Sequence, residues 1–340
     1  MSKKNIVYLF IAIALGSYVI GRELKEISLA SVYEELIHMN WAWLIFAVFL
    51  MLVQWGLSAR ITQLFLKRSH PELRLRDVYR VPLIEHLFNA ITPFSTGGQP
   101  AQIITLVKMN VDAGVATSAS LMKFVVYQTW IVFNFIVCIV FGYRWVADNF
   151  HRLSYLILFS FLIHFVIVFV LLMIMYHYKF TETLATYVFK GLEKVSKNPR
   201  VTKIKEVTFE KMTTFYEESQ HMKKQKKVIA KASLLTILQL MLYYSVPYFI
   251  LLSLGVEGLN LAQIMVLHAF IILIISLFPV PGGAGGAEFS FNLLFGTFVT
   301  TKSKLVLAIL LWRIVTYYSG IIFGMIALLI PMKGTKDKRD

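Results

Sequence analysis

Long apolar runs separated by short polar segments make up most of this chain. A helix needs about 20 mostly apolar residues to cross a bilayer, and several runs reach or approach that length. They cover residues 5–21, 41–59, 114–142, 153–176, 232–254 and 304–330. Residues 27–40 between the first two have one apolar helical face, which predicts a short helix in the membrane interface. The pattern predicts an all-α polytopic membrane protein with about six transmembrane helices, in which residues 1–340 form one membrane domain.

Two further apolar segments, residues 81–108 and 261–300, are interrupted by proline and glycine. The first contains TPFSTGGQP and the second FPVPGGAGG, and neither continues a helix comfortably. Non-helical backbone at membrane depth is tolerated only where it is buried in protein or lines a wet cavity. Interrupted segments at corresponding places in two halves are typical of inverted-repeat transporters. We therefore predict two opposed re-entrant helical hairpins in an inverted-repeat arrangement; ordinary turns between spans are the alternative.

The basic residues indicate the orientation of the chain. Its net charge is +15, yet only 16% of its residues are charged, against about 25% in a soluble domain. With re-entrant hairpins, most of the 34 Lys and Arg residues fall on one side of the membrane. The positive-inside rule places that side and both termini in the cytoplasm, which predicts a location in the cytoplasmic membrane. This distribution also argues against nucleic acid as a partner and indicates attraction to anionic membrane lipids.

The longest basic segment is the predicted cytoplasmic loop, residues 177–231. Phe209, Met212 and Tyr216 recur there at helical spacing, which is typical of an amphipathic helix on the inner leaflet. A solvated connector that obeys the charge rule explains the composition equally well. Both interpretations stay open.

Ionisable side chains within the apolar segments are the candidates for a functional site, because a charge at the bilayer centre costs at least ~2.5–3.5 kcal/mol. Glu85 precedes the first glycine cluster and Glu288 follows the second. Arg313 lies inside the last span, with Tyr317 one turn later. Half-helices beginning after each glycine cluster would also aim partial positive charges at the protein centre. We expect Arg313 and these helix ends to receive a phosphate, while Glu288 and Glu85 hold Arg313.

Several of these residues also have a structural interpretation. Glu288 can simply cap its helix, and Arg313 can be an ion-pair partner that touches no substrate. Glu85 and His86 can be solvated at the cytoplasmic interface. Lys123 is expected to extend to that interface.

No metal or nucleotide motif is present in the sequence. No set of His, Cys and carboxylate residues has metal-ligand spacing, and His164 and His268 are expected to pack in the core. Neither glycine cluster has the flanking residues of a Walker A or dinucleotide-binding motif. We expect neither a metal nor a cofactor.

The interrupted segments resemble parts of a known family. They read FNAITPFSTGGQPAQIITLVK at 88–108 and FPVPGGAGGAEFSF at 278–291, and ILLWRIVTYYSG follows at 309–320. These sequences resemble the membrane flippase domain of lysylphosphatidylglycerol synthases, which also occurs as free-standing membrane proteins. The resemblance implies movement of an aminoacylated anionic lipid to the outer leaflet, or handling of other lipids or lipid-linked sugars. It also implies these substrate-binding residues: Asn89, Thr92, Pro93, Gly97, Gly98, Pro281, Gly282, Gly283, Gly285, Glu288 and Arg313.

These features predict a lipid translocator that is not an enzyme. We expect flippase-like movement of an anionic or aminoacylated phospholipid, or a lipid-linked headgroup, without a synthase domain in this chain. One alternative is a membrane-embedded enzyme acting on lipid-linked sugars, with Glu34 and Glu35 as its acidic candidates. Another is a secondary transporter of a small anion, and a third is a scaffold for a lipid-modifying partner. A homo-oligomer or a separate lipid-modifying enzyme also stays open as a partner.

Overall fold

The computed structural model describes residues 29–149, 151–195, 199–223, 225–299 and 301–330, and every regular element within them is a helix. In chain order the helices are α1 (Leu29–His38), α2 (Trp41–Leu66), α3 (Leu75–Val78), α4 (Arg80–Ala90), α5 (Gly98–Lys108), α6 (Ala113–Asn149), α7 (His151–Tyr176), α8 (Tyr178–Val195), α9 (Pro199–Lys223), α10 (Lys226–Ser253), α11 (Leu261–Ile275), α12 (Gly286–Phe295), α13 (Lys302–Arg313) and α14 (Ser319–Leu329). The π-helical segment Ile314–Tyr318 joins α13 to α14.

Five of these helices are long and apolar enough to cross a membrane: α2, α6, α7, α10 and the continuous run from α13 to α14. They coincide with the predicted spans 41–59, 114–142, 153–176, 232–254 and 304–330. The predicted first span, residues 5–21, lies outside the described residues. The chain is therefore an all-α polytopic membrane protein, as its hydropathy pattern predicts.

The two interrupted segments form helical hairpins. In the first hairpin α4 packs against α5 across the turn Pro93–Ser95, and in the second α11 packs against α12 across Pro281–Gly283. The legs have 10 to 15 residues. At 1.5 Å per residue they are about 15–22 Å long, which is shorter than the ~30 Å hydrocarbon core. The two turns contact each other, so the tips of the hairpins meet.

Close helix packing holds the first hairpin in place. Helix α14 packs along α4, and Gly324 makes this approach feasible because a Cβ there would lie only 2.5 Å from the Cβ of Leu87. On another side, α2 and α10 form the most extensive helix pair in the described chain. Trp55 and Met51 of α2 are almost fully buried in the main core. The two hairpins therefore pack against helices with buried, well-packed side chains.

The predicted loop 177–231 folds mostly into two helices, α8 and α9, before α10 begins. Met212 and Phe215 of α9 are buried, and they pack in one core cluster with residues of α6 and α7. The rings of Tyr216 and Tyr178 pack at a tilt, with centroids 4.5 Å apart. The apolar side of α9 therefore packs largely against protein instead of lying on the inner leaflet.

Helix α1 confirms the predicted short helix in residues 27–40. Glu35 accepts a hydrogen bond from Ser303 Oγ at 3.2 Å, and one of its carboxylate oxygens lies 3.9 Å from Lys304 Nζ. These contacts fasten α1 to the start of α13. The enzyme alternative needs Glu35 as an acidic catalytic residue, but in the structure its carboxylate contacts Ser303 and Lys304.

Candidate functional site

Arg313 is the cation at the centre of the candidate site. It ends α13, directly before the π-helical segment, and only 5% of its side chain is exposed. Its Nε donates to Glu288 Oε1 at 2.6 Å, and its Nη1 donates to the carbonyl oxygen of Gly282 at 3.0 Å. A guanidinium carries five N–H donors, and no hydrogen bond among the described residues uses the other three. Arg313 can therefore bind a further oxygen ligand.

Glu288 has two structural roles at once. Its Oε1 accepts from Arg313, and its Oε2 accepts from the N–H of Gly285 at 2.8 Å, which caps the start of α12. The side chain is 3% exposed. The structure confirms that Glu288 caps its helix and that Arg313 is its ion-pair partner, while substrate binding by either residue stays a prediction. The pair fastens the second hairpin to the last span.

Steric limits explain the glycines of the second turn. Gly282 has φ 64° and Gly283 has φ 60°, in the left-handed region that disfavours other residues. A Cβ on Gly282 would lie 2.2 Å from Cε2 of Tyr317, and a Cβ on Gly283 would lie 2.3 Å from Cγ2 of Ile275. This tight turn brings the Gly282 carbonyl within reach of Arg313.

Side chains of the first hairpin cap its own second leg. Asn89 Oδ1 accepts from the N–H of Gly98 at 2.9 Å. Thr92 Oγ1 accepts from the N–H of Gly97 at 2.9 Å and donates to the carbonyl oxygen of Phe88 at 2.7 Å. The prediction that α5 aims unsatisfied N–H groups at the protein centre is therefore wrong for these two groups, because neighbouring side chains already satisfy them.

A small polar cavity of about 150 Å³ lies where the two hairpin tips meet. Its polar lining comes from the first hairpin, from α10, from the second turn and from the last span: His86, Asn89, Ser95, Tyr243, Gly282, Arg313, Thr316 and Tyr317. The phenol of Tyr317 donates to the carbonyl oxygen of Ala90 at 3.1 Å, so it contacts the first hairpin as well as the second turn. Both hairpins thus contribute to the wall of the cavity.

Four predicted site residues line this cavity: Asn89, Gly282, Arg313 and Tyr317. The other predicted residues in and around the two turns do not line it: Thr92, Pro93, Gly97, Gly98, Pro281, Gly283, Gly285 and Glu288. Sequence reasoning missed His86, Ser95, Tyr243 and Thr316 as lining residues. Two of them had a signal: His86 lies three residues before Asn89 on the same helical face, and Ser95 lies within the interrupted segment TPFSTGGQP.

Glu85 contacts a different cation from the one expected. Its Oε2 lies 2.7 Å from Nζ of Lys123, and Lys123 is buried in α6. The predictions that Glu85 holds Arg313 and that Lys123 extends to the interface are both wrong, because Lys123 is the cation that faces α4. Each hairpin is therefore tied by a carboxylate to a cation on the span that follows it.

His268 supports Arg313 indirectly. It is fully buried, accepts a hydrogen bond from Trp312 Nε1 at its Nε2 (3.1 Å), and has Nδ1 3.3 Å from the carbonyl oxygen of Tyr244. Trp312 and Tyr317 flank the guanidinium of Arg313 with ring centroids 5.3 and 5.1 Å from its Cζ. The core role predicted for His268 is confirmed, and it fixes one of the two aromatic rings beside Arg313.

Other chemistry has little support at this site. No group of three His, Cys, Asp or Glu side chains in the described ranges lies close enough together to hold a metal ion. His164, on α7, has Nδ1 3.0 Å from the carbonyl oxygen of Ser160 in its own helix. The groups that face the cavity can bind and orient an anion through Arg313, hydroxyls and an imidazole.

The fold and the buried polar centre define a polytopic α-helical membrane protein built around two broken helical segments. The chain belongs to the family described as the lysylphosphatidylglycerol synthase TM region, whose model matches residues 6–324. It is similar to a UPF0104 membrane protein of Archaeoglobus fulgidus, with 26% identity over 315 residues, which cover 88% of this chain and 90% of the relative. The resemblance noted in the sequence is thereby confirmed across nearly the whole chain.

Proposed function

We propose that the protein is a lipid translocator, without enzymatic activity of its own, that moves an anionic or aminoacylated phospholipid, or a lipid-linked headgroup, across the cytoplasmic membrane. The observation that carries this proposal is Arg313 beside the cavity between the hairpin tips, with three N–H donors unused among the described residues. A buried cation with unused donors is a fitting partner for a phosphate oxygen.

The hairpins supply the path. Their legs are too short to cross the hydrocarbon core, so we assign them as re-entrant segments that enter from opposite faces and return. A headgroup would pass along the polar surface where their tips meet, while the acyl chains stay in lipid. The basic residues favour both termini on the cytoplasmic side in this arrangement.

The cavity is too small for a whole lipid headgroup. Its volume of about 150 Å³ lies below the ~300–1,000 Å³ of typical ligand pockets, which suits a phosphate group but not a whole phospholipid headgroup with its glycerol. Passage therefore requires the hairpin tips to separate. Since Arg313 must not remain unpaired at membrane depth, we expect the phosphate to join or replace Glu288 as its partner during passage.

Translocation in proteoliposomes tests the proposal directly. A headgroup-intact phosphatidylglycerol with a fluorescent acyl chain is reduced by dithionite in the outer leaflet only, so the protected fraction reports movement between leaflets. We expect Arg313→Gln to slow this movement at least ~10-fold, which corresponds to an activation free energy about 1.4 kcal/mol higher. Arg144→Gln, at an exposed position in α6, should leave the rate unchanged.

Two further arms separate the alternatives. Arg313→Lys keeps a cation beside Glu288 but loses the planar donor geometry, so a reduced rate in this variant reports the donor geometry without leaving Glu288 unpaired. Uptake of radiolabelled phosphate into the same vesicles would identify a small-anion transporter. Equal lipid movement in wild type, Arg313→Gln and protein-free vesicles would overturn the proposal.

A further inference from the structure

A second basic site lies away from the cavity, in a cleft between the end of α2 and the start of α10. Its volume is about 900 Å³. Six basic side chains line it, three from each helix end: Arg60, Lys67, Arg68, Lys226, Lys227 and Lys231. No carboxylate lines the cleft in the part of the chain that the structure describes. We refer to these residues as the basic cleft.

The charges of the basic cleft are unbalanced within the protein. No Asp or Glu of the described ranges forms an ion pair with any of the six. Lys227 and Lys231 are one helical turn apart, where like charges repel. The first turn of α10 contains no acidic residue, although the positive end of the helix dipole disfavours cations there. An anion in the cleft would relieve both repulsions.

The positive-inside rule alone does not explain this arrangement. It accounts for basic residues on one side of the membrane, but not for six of them in one concavity without an acidic neighbour. On α8 and α9 the basic residues are interspersed with acids, and Lys205 lies 2.9 Å from Glu193. The basic cleft therefore differs from the other basic surface of this loop region.

The cleft also has an apolar wall. Leu64 from α2 and Leu234 and Leu235 from α10 line it beside the cations. Leu234 is 68% exposed, which is expected of a side chain that faces acyl chains. A ligand in the cleft thus meets charge at one end and hydrocarbon at the other, as an amphiphile requires.

One cation of the cleft is held in position. Arg60 is partly buried and donates from Nη1 to Oε1 of Gln63. Gln63 Nε2 in turn donates to the carbonyl oxygen of Leu73 at 2.8 Å. Arg60 is therefore oriented by a hydrogen-bond relay to the segment before α3, while the lysines of α10 are exposed and free to adjust.

We propose that the basic cleft binds the headgroup of an anionic phospholipid in the adjacent leaflet, and that a lipid with two phosphates binds more tightly than a lipid with one. Basic pockets between transmembrane helices are suited to such headgroups. Six cations exceed the charge of a single phosphate diester, so a second phosphate gains additional pairs. This proposal does not rest on the translocation function.

Lipid binding to the full-length protein in detergent tests this site. Native mass spectrometry would give dissociation constants for cardiolipin, phosphatidylglycerol and phosphatidylcholine, with pyrophosphate as the free-phosphate arm. We expect affinity to fall in that lipid order. Replacing the three α10 lysines together, as Lys226→Gln/Lys227→Gln/Lys231→Gln, should weaken cardiolipin binding about 100-fold, given the contribution of each basic residue near an anionic surface.

The matched control removes the same charge elsewhere on the loop helices. Lys190→Gln/Lys194→Gln/Lys203→Gln changes three exposed lysines outside the cleft and should leave cardiolipin affinity within about twofold of wild type. An equal loss in both triple variants would show that binding follows total charge, and would overturn the proposal. Pyrophosphate that binds as tightly as cardiolipin would overturn the assignment to a lipid. Proteoliposome translocation reports on the cavity beside Arg313, whereas the lipid affinities of the two triple variants report on the basic cleft, so failure of translocation and failure of this site are distinguishable.

Discussion

Tyr317 donates a hydrogen bond from its phenol to the carbonyl oxygen of Ala90, 3.1 Å away. Its ring also fills the space beside Gly282, where a Cβ would lie 2.2 Å from Cε2. A residue of the last span therefore touches both hairpins at the point where their tips meet. Any separation of the tips must break the hydrogen bond or move the ring, so Tyr317 is well placed to control opening of the cavity.

Gly282→Ala should be markedly destabilising. The left-handed backbone costs about 1–2 kcal/mol for alanine, and the clash with Tyr317 adds about 1–3 kcal/mol of overpacking. Gly258→Ala is the control, because Gly258 has φ 72° but nothing within 4 Å of a Cβ. It should show the backbone cost alone. The measurement is the free energy of unfolding in an SDS titration, and equal losses in both variants would show that the ring contact is unimportant.

Breaking the Arg313–Glu288 pair on one side should cost more than removing both charges. Glu288→Gln leaves Arg313 as a buried unpaired cation, which costs about 3–5 kcal/mol. The double variant Glu288→Gln/Arg313→Gln leaves no such charge, so we expect it to be more stable than the single variant. Unfolding free energies of the full double-mutant cycle measure this coupling. Strictly additive effects would mean that the 2.6 Å contact contributes no coupling.

The hydropathy pattern predicts the spans of this fold because bilayer thickness fixes the length of a span. The positions of proline and glycine predict the two hairpins. Residues 81–108 and 261–300 could be recognised as hairpins because neither can cross as a continuous helix. The sequence predicted Glu288 as a partner of Arg313, but it did not predict the ion-pair partner of Glu85. Sequence position indicates the depth of Glu85 in the membrane, but not the side of α4 from which Lys123 approaches.

The loop region shows a second limit of the sequence. Residues 177–231 mix apolar and charged positions, and this composition suits a membrane-surface helix, a connector or a packed helix equally well. The structure shows that Met212 of α9 is buried against the spans. That contact depends on how α8 and α9 fold back on the chain, which no local pattern encodes.

The Glu85–Lys123 pair should tolerate reversal better than loss. Lys123→Met leaves Glu85 without its 2.7 Å partner near membrane depth, for which we expect a loss of about 3 kcal/mol. The swap Glu85→Lys/Lys123→Glu restores a pair and should recover more than half of that loss. Thermal or SDS unfolding of the three proteins gives the comparison.

A longer and only partly buried pair provides the control for this swap. Lys304→Gln removes a 3.9 Å contact between side chains that are 30% (Lys304) and 20% (Glu35) exposed, so its cost should stay below about 1 kcal/mol. If Lys123→Met costs no more than Lys304→Gln, the Glu85–Lys123 pair does not hold the first hairpin.

Alanine substitutions at two glycines, Gly98 at the capped start of α5 and Gly191 within α8, should have opposite effects on stability. A Cβ on Gly98 would lie 2.2 Å from Oδ1 of Asn89, so Gly98→Ala should displace the cap and cost about 2 kcal/mol. Gly191, within α8, has nothing within 4 Å of a Cβ. Gly191→Ala should therefore stabilise the protein by about 0.5–1 kcal/mol, because alanine favours a helix interior. If the two substitutions changed the free energy of unfolding in the same direction, that result would contradict the packing described for Gly98.

Asn89 itself can be assigned to structure or to substrate by two variants. Asn89→Asp keeps an oxygen that accepts from the N–H of Gly98, whereas Asn89→Ala removes it and should cost about 1 kcal/mol. If Asn89 acts only as a cap, Asn89→Asp should keep both stability and lipid translocation. If its amide also contacts the headgroup at the cavity wall, Asn89→Asp should fold normally but move anionic lipid more slowly, because the new carboxylate repels the phosphate. Dithionite protection and unfolding measured on the same preparations separate these two results.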